Sequence, residues 1–296
     1  MRIAILGIGD YGSRFAAQLI AAGEDVTLIA RGKTLERLKK EGLSATKGPD
    51  TPAMHIGKVE ATDDCSSVGP VDVVLMCVKL YQLDDAMETA SALVGPDTTV
   101  LGFQNGVTGE NRLIERYGAD RVVGVGASAP LVPLAIGELP RGLSKRTSAI
   151  VQVFKKAGVN VVEHENVMEA IWGKFIVVCG GSVSALTRLS IGEVVKIPEL
   201  MQLGKMAVSE AVELANAKGL SFGPAEIAKF DDILDEVSVS NPDWRPSLLQ
   251  DLDAGRPLEL DAWSGGAVKV GQELGIATPV NFSIYAGLKP YENGSQ

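Results

Sequence analysis

The sequence predicts an α/β domain, with a parallel sheet covered by helices on both faces, followed by an all-α domain. Three observations support this fold class: strand and helix signals alternate through the first half, a glycine-rich turn directly follows the first strand, and almost only helical periodicity is found after residue 165. We expect the domain boundary near residue 165, which divides the 296 residues into 1–165 and 166–296. Each part has the length of an ordinary domain.

The first domain is predicted from its alternating apolar patterns. Short apolar runs are typical of buried parallel strands, and apolar residues at 3.6 spacing predict helices. The predicted strands are Arg2–Leu6, Val26–Ala30, Val71–Val78, Thr99–Gly102, Val122–Val125 and Val159–Glu163. The predicted helices are Ser13–Ala22, Leu35–Glu41, Gln82–Leu93 and Glu110–Tyr117. Leu43–Val59, rich in Gly, Pro and Thr, is expected to be a loop or weak hairpin. This alternation favours right-handed βαβ units.

The second domain shows long helical periods. The predicted helices are Val167–Val178, Pro198–Lys218, Pro224–Glu236, Ser247–Ala254 and Leu260–Leu274. Pro198 and Pro224 occupy first-turn positions, where proline is favoured, and Gly219 and Gly275 occupy C-terminal cap positions.

The charge balance excludes two classes of partner. The chain has 28 Lys and Arg against 37 Asp and Glu, a net charge of -9. A chain this acidic lacks the basic surface that nucleic acid binding requires and is repelled by anionic lipid. The apolar run Ile3–Leu6 is too short for a signal peptide, and stretches such as Val122–Ile136 are too short to span a membrane. We therefore expect neither nucleic acid nor membrane as a partner.

Cysteine and histidine usage indicates a cytoplasmic protein without a metal site. Cys65, Cys77 and Cys179 are an odd number with no CxxC pair, so they are expected to be reduced thiols. His55 and His164 have no second histidine or cysteine at ligand spacing, whereas zinc needs about three or four protein ligands.

A phosphate-binding turn is predicted between the first strand and the first helix. The motif GxGxxG is formed by Gly7, Ile8, Gly9, Asp10, Tyr11 and Gly12. In this context the first glycine permits a tight turn, the second lets a pyrophosphate approach the backbone, and the third lets the helix pack on the strand. The helix N-terminus supplies N–H groups to the phosphates. The alternative is a glycine-rich loop of an unrelated fold.

The end of the second strand favours NADP over NAD. An NAD site usually places Asp or Glu there to bind the ribose 2′-hydroxyl. This chain has Arg31 and Lys33 instead and no acid. A guanidinium can pair with a 2′-phosphate, which a carboxylate would repel. The alternative is that both cations are simply solvated.

Lys174 is the candidate proton donor of the second domain. It lies in an otherwise apolar helix beside Trp172 and Phe175, where an ammonium is unfavourable unless it reaches solvent or has a partner. Desolvation lowers the pKa of a lysine and makes it a useful acid near neutral pH. Neither histidine is placed as well for this role. A lysine that merely extends to solvent remains the alternative.

The chain resembles the ketopantoate reductase (2-dehydropantoate 2-reductase) family along nearly its whole length. The segments that carry the resemblance are Ile3–Gly12 with Arg31, Val78–Gln82, Gln104–Val107, Trp172–Lys174, Ser247–Asp251 and Glu259–Asp261. The resemblance implies an NADP-binding Rossmann domain at 1–165 and a helical substrate and catalytic domain at 166–296.

The resemblance also implies roles for individual residues. Lys174 is the general acid that protonates the substrate carbonyl oxygen, and Glu259 orients the substrate hydroxyl and interacts with the lysine. Ser247 contacts the substrate carboxylate, Asn105 lies beside nicotinamide and substrate, and Lys79 lies near the adenosine end of the cofactor. Taken singly, each has a structural alternative: Asn105 in a turn, Ser247 in a first helical turn, Glu259 as a solvated acid.

One departure from the family pattern bears on the substrate. The family commonly carries asparagines four and eight residues after its lysine, where this chain has Val178 and Ser182. Ser182 keeps a hydroxyl and is predicted to contact the substrate, whereas Val178 removes a donor and an acceptor. Sites built for a polar group discriminate strongly, so a 2-oxo acid less polar than ketopantoate competes as the substrate.

The leading hypothesis is an NADPH-dependent oxidoreductase that reduces a small 2-oxo acid. Ketopantoate, converted to pantoate in pantothenate biosynthesis, is the best named candidate. The alternatives are a β-hydroxyacid or 6-phosphogluconate-type dehydrogenase and a non-catalytic NADP-binding sensor module. A homodimer through an apolar face of the helical domain is also open, because periodicity does not distinguish such a face from core.

Overall fold

The computed structural model describes residues 1–46, 53–126 and 133–294. The chain divides into two compact units: unit 1 comprises residues 1–104 and 108–171, and unit 2 comprises residues 105–107 and 172–296. The division falls inside a helix that begins at Val167, rather than ahead of it near residue 165, because this helix continues without interruption from one unit into the other.

Unit 1 is built on a mostly parallel sheet. Its strands are β1 (Arg2–Leu6), β2 (Asp25–Ile29), β3 (Leu43–Ala45), β4 (Met54–Ile56), β5 (Glu60–Thr62), β6 (Val73–Met76), β7 (Thr99–Gly102), β8 (Val122–Gly126), β9 (Leu134–Glu138) and β10 (Val161–Glu163). Eight of them form one sheet in the order β10-β9-β8-β7-β6-β1-β2-β5, in which only the β8–β9 pair is antiparallel. The predicted α/β class with a parallel sheet is therefore confirmed.

Among the described residues, five α-helices lie wholly within unit 1. They are α1 (Asp10–Ala21), α2 (Gly32–Glu41), α3 (Leu83–Thr89), α4 (Gly109–Tyr117) and α5 (Lys145–Lys156). Phe15 of α1 packs against Phe103 and Phe154, with ring centroids 4.9 and 5.6 Å apart. Because β1 is buried and paired on both sides, by β2 and β6, the turn that follows it starts from a rigid position.

Two strands of unit 1 were not predicted, and the uncertain Leu43–Val59 region contains a hairpin. This is the antiparallel pair β3–β4, and residues 47–52 lie outside the described residues. β5 has only three residues, none of them fully buried, so its apolar signal is weak. β9 follows a proline-rich stretch and pairs antiparallel with β8, a long-range contact that local periodicity does not report.

Unit 2 is helical, as predicted. It contains most of α6 (Val167–Thr187), then α7 (Ile191–Val194), α8 (Pro198–Ala217), α9 (Pro224–Ser240), α10 (Ser247–Asp253), α11 (Ser264–Leu274) and α12 (Pro279–Leu288). Pro198 and Pro224 begin their helices, and Gly275 caps α11 in the left-handed conformation. α7 is too short, and α12 too apolar on every side, for the periodicity to reveal them.

Two predicted helix ends are wrong for identifiable reasons. α6 runs through Gly180 to Thr187 instead of ending at Val178. Gly180 does not end the helix: it stands there because a larger residue would not fit, since a Cβ would lie 2.6 Å from the Phe230 ring. The predicted helix from Leu260 is broken at Trp263, so that a 3-10 turn over Leu260–Ala262 precedes α11.

α6 is also long and apolar enough to cross a membrane by length and composition. More than half of its most apolar 18-residue stretch is buried within the protein, as in the core helix of a globular domain. Burial against its neighbours therefore accounts for its hydropathy.

Candidate functional site

The GxGxxG turn is shaped by contacts that leave no room for side chains at two of its glycines. Gly7 has a φ of +92°, and a Cβ there would lie 2.6 Å from the backbone of Cys77 and Val78. A Cβ at Gly12 would overlap the carbonyl oxygen of Gly7. A Cβ at Gly9, by contrast, would meet no atom within 4 Å. The turn is therefore tight against the sheet and open on the side of Gly9.

The helix that follows offers its N-terminus to this open side. Gly9 is the N-cap of α1 and has no side chain to bond the first-turn N–H groups. These N–H groups and the positive end of the helix dipole suit a phosphate. Asp10 is exposed at the first helical position, and Ile8 and Tyr11 are half-buried. Burial raises the pKa of Tyr11, partly offset by the Arg14 guanidinium, whose Cζ lies 5.0 Å from the Tyr11 ring centroid.

The end of β2 presents a cation. Arg31 follows Ala30, is exposed, and donates from Nη2 to the Thr89 hydroxyl over 3.2 Å. Residues 30–33 contain no carboxylate. Together with the open turn, this set of donors fits an NADP cofactor: backbone N–H groups for the pyrophosphate and a guanidinium for the 2′-phosphate.

The loops after β6 and β7 hold two further candidates. Lys79 lies half-buried directly before a 3-10 turn at Leu80–Gln82. Gln104, which sequence reasoning did not single out, bonds the carbonyl oxygens of Met76 and Val78 through Nε2. In the sequence, Gln104 stands out only as the first residue of the segment Gln104–Val107, which carries the family resemblance without giving Gln104 a role of its own.

Glu110 is a second residue that sequence reasoning missed. It lies in the first turn of α4 with 9% of its surface exposed. Burial raises its pKa to about 7, so it titrates near neutral pH. No contact in the described residues gives it a chemical role.

Unit 2 brings Lys174 and Glu259 together. Lys174 is half-buried on α6, and Glu259, only 5% exposed, precedes the 3-10 turn at Leu260–Ala262. Desolvation lowers the pKa of Lys174 to about 8, although the negative charge of Glu259 acts in the opposite direction. An ammonium with this pKa is largely protonated at neutral pH and gives up its proton readily.

The accessible face of α6 around Lys174 is apolar. Gly173, Val177, Val178 and Gly181 share this half-buried stripe with the lysine. Positions four apart on a helix lie on the same face, so Val178 is the next side chain beyond Lys174. A Cβ at Gly181 would come no closer than 3.9 Å to Trp263, which leaves space there.

Ser182 is not available in the way the sequence suggested. Its side chain is fully buried, and its hydroxyl donates to the carbonyl oxygen of Val178 over 3.2 Å. This placement does not support a substrate contact, because the hydroxyl is inaccessible and bonded within its own helix.

The remaining predicted residues lie at element boundaries. Ser247 is the half-buried first residue of α10. Asn105 belongs to the short segment 105–107 that groups with unit 2. Next to it, Gly106 has a φ of +91°, and a Cβ there would lie 3.0 Å from Cα of Ala262, in the turn that follows Glu259. The segment that contains Asn105 is thus packed beside that turn.

The described residues contain no disulfide and no cluster of side chains suited to a metal ion. Cys65, Cys77 and Cys179 are all free thiols, and burial raises the pKa of each. Within residues 1–46, 53–126 and 133–294, no group of three or more His, Cys, Asp or Glu side chains could hold a metal ion.

These features define a class of protein. A turn suited to a dinucleotide in one unit, and a desolvated lysine beside a carboxylate in the other, are the parts of a nucleotide-dependent oxidoreductase. Comparison with known proteins makes this specific. The family model "Ketopantoate reductase PanE/ApbA" matches residues 3–129, and its C-terminal counterpart matches residues 166–292. The chain belongs to the ketopantoate reductase family.

Similar proteins cover the whole chain at low identity. A 2-dehydropantoate 2-reductase of Pyrococcus horikoshii is 26% identical over 306 residues, with 99% of this chain and 98% of the relative covered. One from Archaeoglobus fulgidus is 29% identical over 311 residues, covering 99% and 98%. The crystal structure of 2-dehydropantoate 2-reductase from Geobacter metallireducens has a TM-score of 0.86 at 26% identity, covering 98% and 99%. The chain is an oxidoreductase of a family that is NADP-dependent and acts on CH–OH groups.

The glycine turn can be tested with two substitutions that differ only in position. Gly12→Ala is expected to destabilise unit 1 by about 2 kcal/mol, because its Cβ overlaps the backbone of Gly7. Gly9→Ala is expected to unfold like wild type but to bind NADPH at least about tenfold more weakly, since its Cβ projects into the open side of the turn. Thermal unfolding and NADPH fluorescence titration measure both effects. Wild-type NADPH affinity in Gly9→Ala would contradict this assignment of the turn.

Proposed function

We propose that this protein reduces a 2-oxo acid to the 2-hydroxy acid with NADPH, and that 2-dehydropantoate (ketopantoate), reduced to pantoate in pantothenate biosynthesis, is its substrate in the cytoplasm. The observation that carries the proposal is Lys174: a partly desolvated ammonium, with a pKa of about 8, beside the buried carboxylate of Glu259. The names of the similar proteins support ketopantoate. A homodimer stays a prediction.

The cofactor is held by unit 1. The first-turn N–H groups of α1 donate hydrogen bonds to the pyrophosphate, and Arg31 pairs with the 2′-phosphate. Lys79 adds positive charge at the loop after β6. Bound NADPH supplies a hydride to the carbonyl carbon of the substrate.

The proton comes from unit 2. Hydride addition develops negative charge on the carbonyl oxygen, and the Lys174 ammonium stabilises that charge and delivers a proton from Nζ. Desolvation makes the ammonium a stronger acid than an exposed lysine. Without the charge of Glu259, the same desolvation would lower the pKa of Lys174 further and leave less of the ammonium protonated at neutral pH.

Glu259 and two further residues complete the proposed site. Glu259 keeps Lys174 protonated and accepts a hydrogen bond from the substrate hydroxyl. Ser247 donates to the substrate carboxylate, and Asn105 contacts the substrate and the nicotinamide. Ser182 has no part in this scheme because its hydroxyl is bonded within α6.

The apolar stripe on α6 favours one feature of the substrate. Val177 and Val178 suit a branched alkyl group beside the reacting carbonyl, such as the dimethyl carbon of ketopantoate. The same stripe would suit 2-oxoisovalerate, which lacks the hydroxyl, so this less polar acid is the second candidate substrate. Which acid is preferred depends on whether Glu259 contributes a bond to the hydroxyl.

A different dehydrogenase class and a non-catalytic role both have less support. A β-hydroxyacid or 6-phosphogluconate-type dehydrogenase also uses a lysine, but the ketopantoate reductase family matches cover both halves of the chain. A non-catalytic NADP-binding module would have no need for a desolvated lysine held beside a buried carboxylate.

The activity is tested by following NADPH absorbance with ketopantoate and with 2-oxoisovalerate. We expect Lys174→Ala to lower kcat by at least about 100-fold, because the proton donor is lost, while the Kd for NADPH stays within about twofold of wild type. Lys205→Ala, which removes a lysine paired with Asp231 on the surface of the same unit, is the matched control and should retain kcat.

The outcomes of this assay separate the possibilities. Turnover of ketopantoate in preference to 2-oxoisovalerate supports the proposed substrate, and the reverse preference supports the less polar acid. Full kcat in Lys174→Ala removes this residue from the mechanism. NADPH binding without turnover of either acid contradicts the proposed substrate class.

The cofactor preference is tested at the end of β2. Arg31→Ala is expected to weaken NADPH binding by about 10–100-fold and to leave NADH binding almost unchanged, because only NADPH carries the 2′-phosphate. Arg37→Ala removes an equal charge from the exposed face of α2 and serves as the control. Equal losses for the two cofactors in Arg31→Ala would refute the assignment.

A further inference from the structure

We infer that Gln104 is a positioning residue: its side-chain amide fixes the loop that follows β6, which carries Lys79, to the segment that follows β7, which continues into Asn105. The inference rests on the proposed function, in that Lys79 and Asn105 are there assigned to the cofactor and substrate. Gln104 itself is assigned no contact with either.

The amide of Gln104 continues the pairing of two strands beyond their ends. The register of β6 and β7 ends at Met76 opposite Gly102, and the Phe103 N–H donates to the Met76 carbonyl oxygen over 3.0 Å. Gln104 Nε2 then donates to the same carbonyl oxygen over 2.7 Å and to that of Val78 over 3.0 Å. One side chain thus spans the two residues through which the chain leaves the sheet toward Lys79.

The orientation of this amide is determined by its partners. Both neighbours are carbonyl oxygens, which only accept, so the NH2 group must face them. The Oε1 atom is left buried without a hydrogen-bond partner among the described residues. Glycines at both ends of the segment make room for it: a Cβ at Gly102 would lie 2.9 Å from Oε1, and one at Gly109 would lie 3.4 Å away.

The outer half of the Lys79 loop has its own support. The Gln82 N–H donates to the Lys79 carbonyl oxygen over 2.8 Å, and Arg112 Nη1 donates to the Leu80 carbonyl oxygen over 3.0 Å. These bonds fix the turn after Lys79, whereas Gln104 fixes the residues before it. Losing the Gln104 amide would leave the approach to Lys79 with only its backbone bonds, from the Cys77 N–H to the Leu6 carbonyl oxygen and from the Phe103 N–H to the Met76 carbonyl oxygen, while the turn itself persists.

The position of Gln104 in the chain extends its effect to Asn105. Gln104 is the last residue of unit 1 before the segment 105–107, and the chain returns to unit 1 at Thr108. An anchored side chain at Gln104 therefore restricts the backbone from which Asn105 extends. The Gln104 amide therefore constrains both the loop that carries Lys79 and the backbone that leads to Asn105.

The test uses Gln104→Met, which keeps the length of the side chain and removes its donors. Gln18→Met is the matched control, because Gln18 is another glutamine of unit 1 whose Nε2 donates to a carbonyl oxygen, that of Gly158. We expect hydrogen–deuterium exchange in residues 77–82 to rise about tenfold in cofactor-free Gln104→Met and the Kd for NADPH to rise about tenfold. Gln18→Met should change neither, at a similar thermal midpoint.

A second variant and two outcomes decide the question. Gln104→Asn shortens the amide so that it cannot reach both carbonyl oxygens, and it should change both readouts in the same direction if Gln104→Met fails to fold. Unchanged exchange in 77–82, or changes equal to those in Gln18→Met, would overturn the inference. If wild-type protein binds no NADPH, the proposed function fails, and the exchange data alone decide whether Gln104 braces the loop.

Discussion

The chemistry proposed for this protein depends on how it keeps a positive charge on an apolar helix. Lys174 lies on α6, whose buried residues from Trp172 onward pack the core of unit 2, and burial lowers the pKa of Lys174 to about 8. Glu259 limits that shift, so the lysine remains protonated at neutral pH yet stays a stronger acid than a lysine in water. The apolar residues of α6 therefore both contribute to the core and lower the pKa of the proposed proton donor.

The cofactor site of unit 1 follows a different principle, because it uses backbone geometry more than charge. The whole chain carries a net charge of -9, which repels an anionic dinucleotide at long range. Local groups must overcome this: the uncapped N-terminus of α1, opened by Gly9, and the exposed guanidinium of Arg31. The absence of a carboxylate from residues 30–33 is as important as the presence of the arginine.

The parts of the structure that could be predicted from sequence are those with local requirements. The β1–turn–α1 unit needs glycines at fixed spacing, and Lys174 is conspicuous because its neighbours are apolar. The features that were missed depend on distant residues. β9 pairs antiparallel with β8. Gly180 lies within α6 because only a glycine fits against Phe230. Gln104 has its structural role through its hydrogen bond to the carbonyl oxygen of Met76 in β6. The burial of Ser182 likewise follows from the packing around α6 and not from its place in the pattern.

The most direct test of this account is the pH dependence of kcat/KM for reduction at saturating NADPH, in wild type and in Glu259→Gln. Because the acid must be protonated, wild-type kcat/KM should fall as pH rises through about 8, the pKa of Lys174. Glu259 raises that pKa, so removing its charge should move the decline to lower pH. A decline that stays in place or moves to higher pH would contradict Lys174 as the proton donor tuned by Glu259.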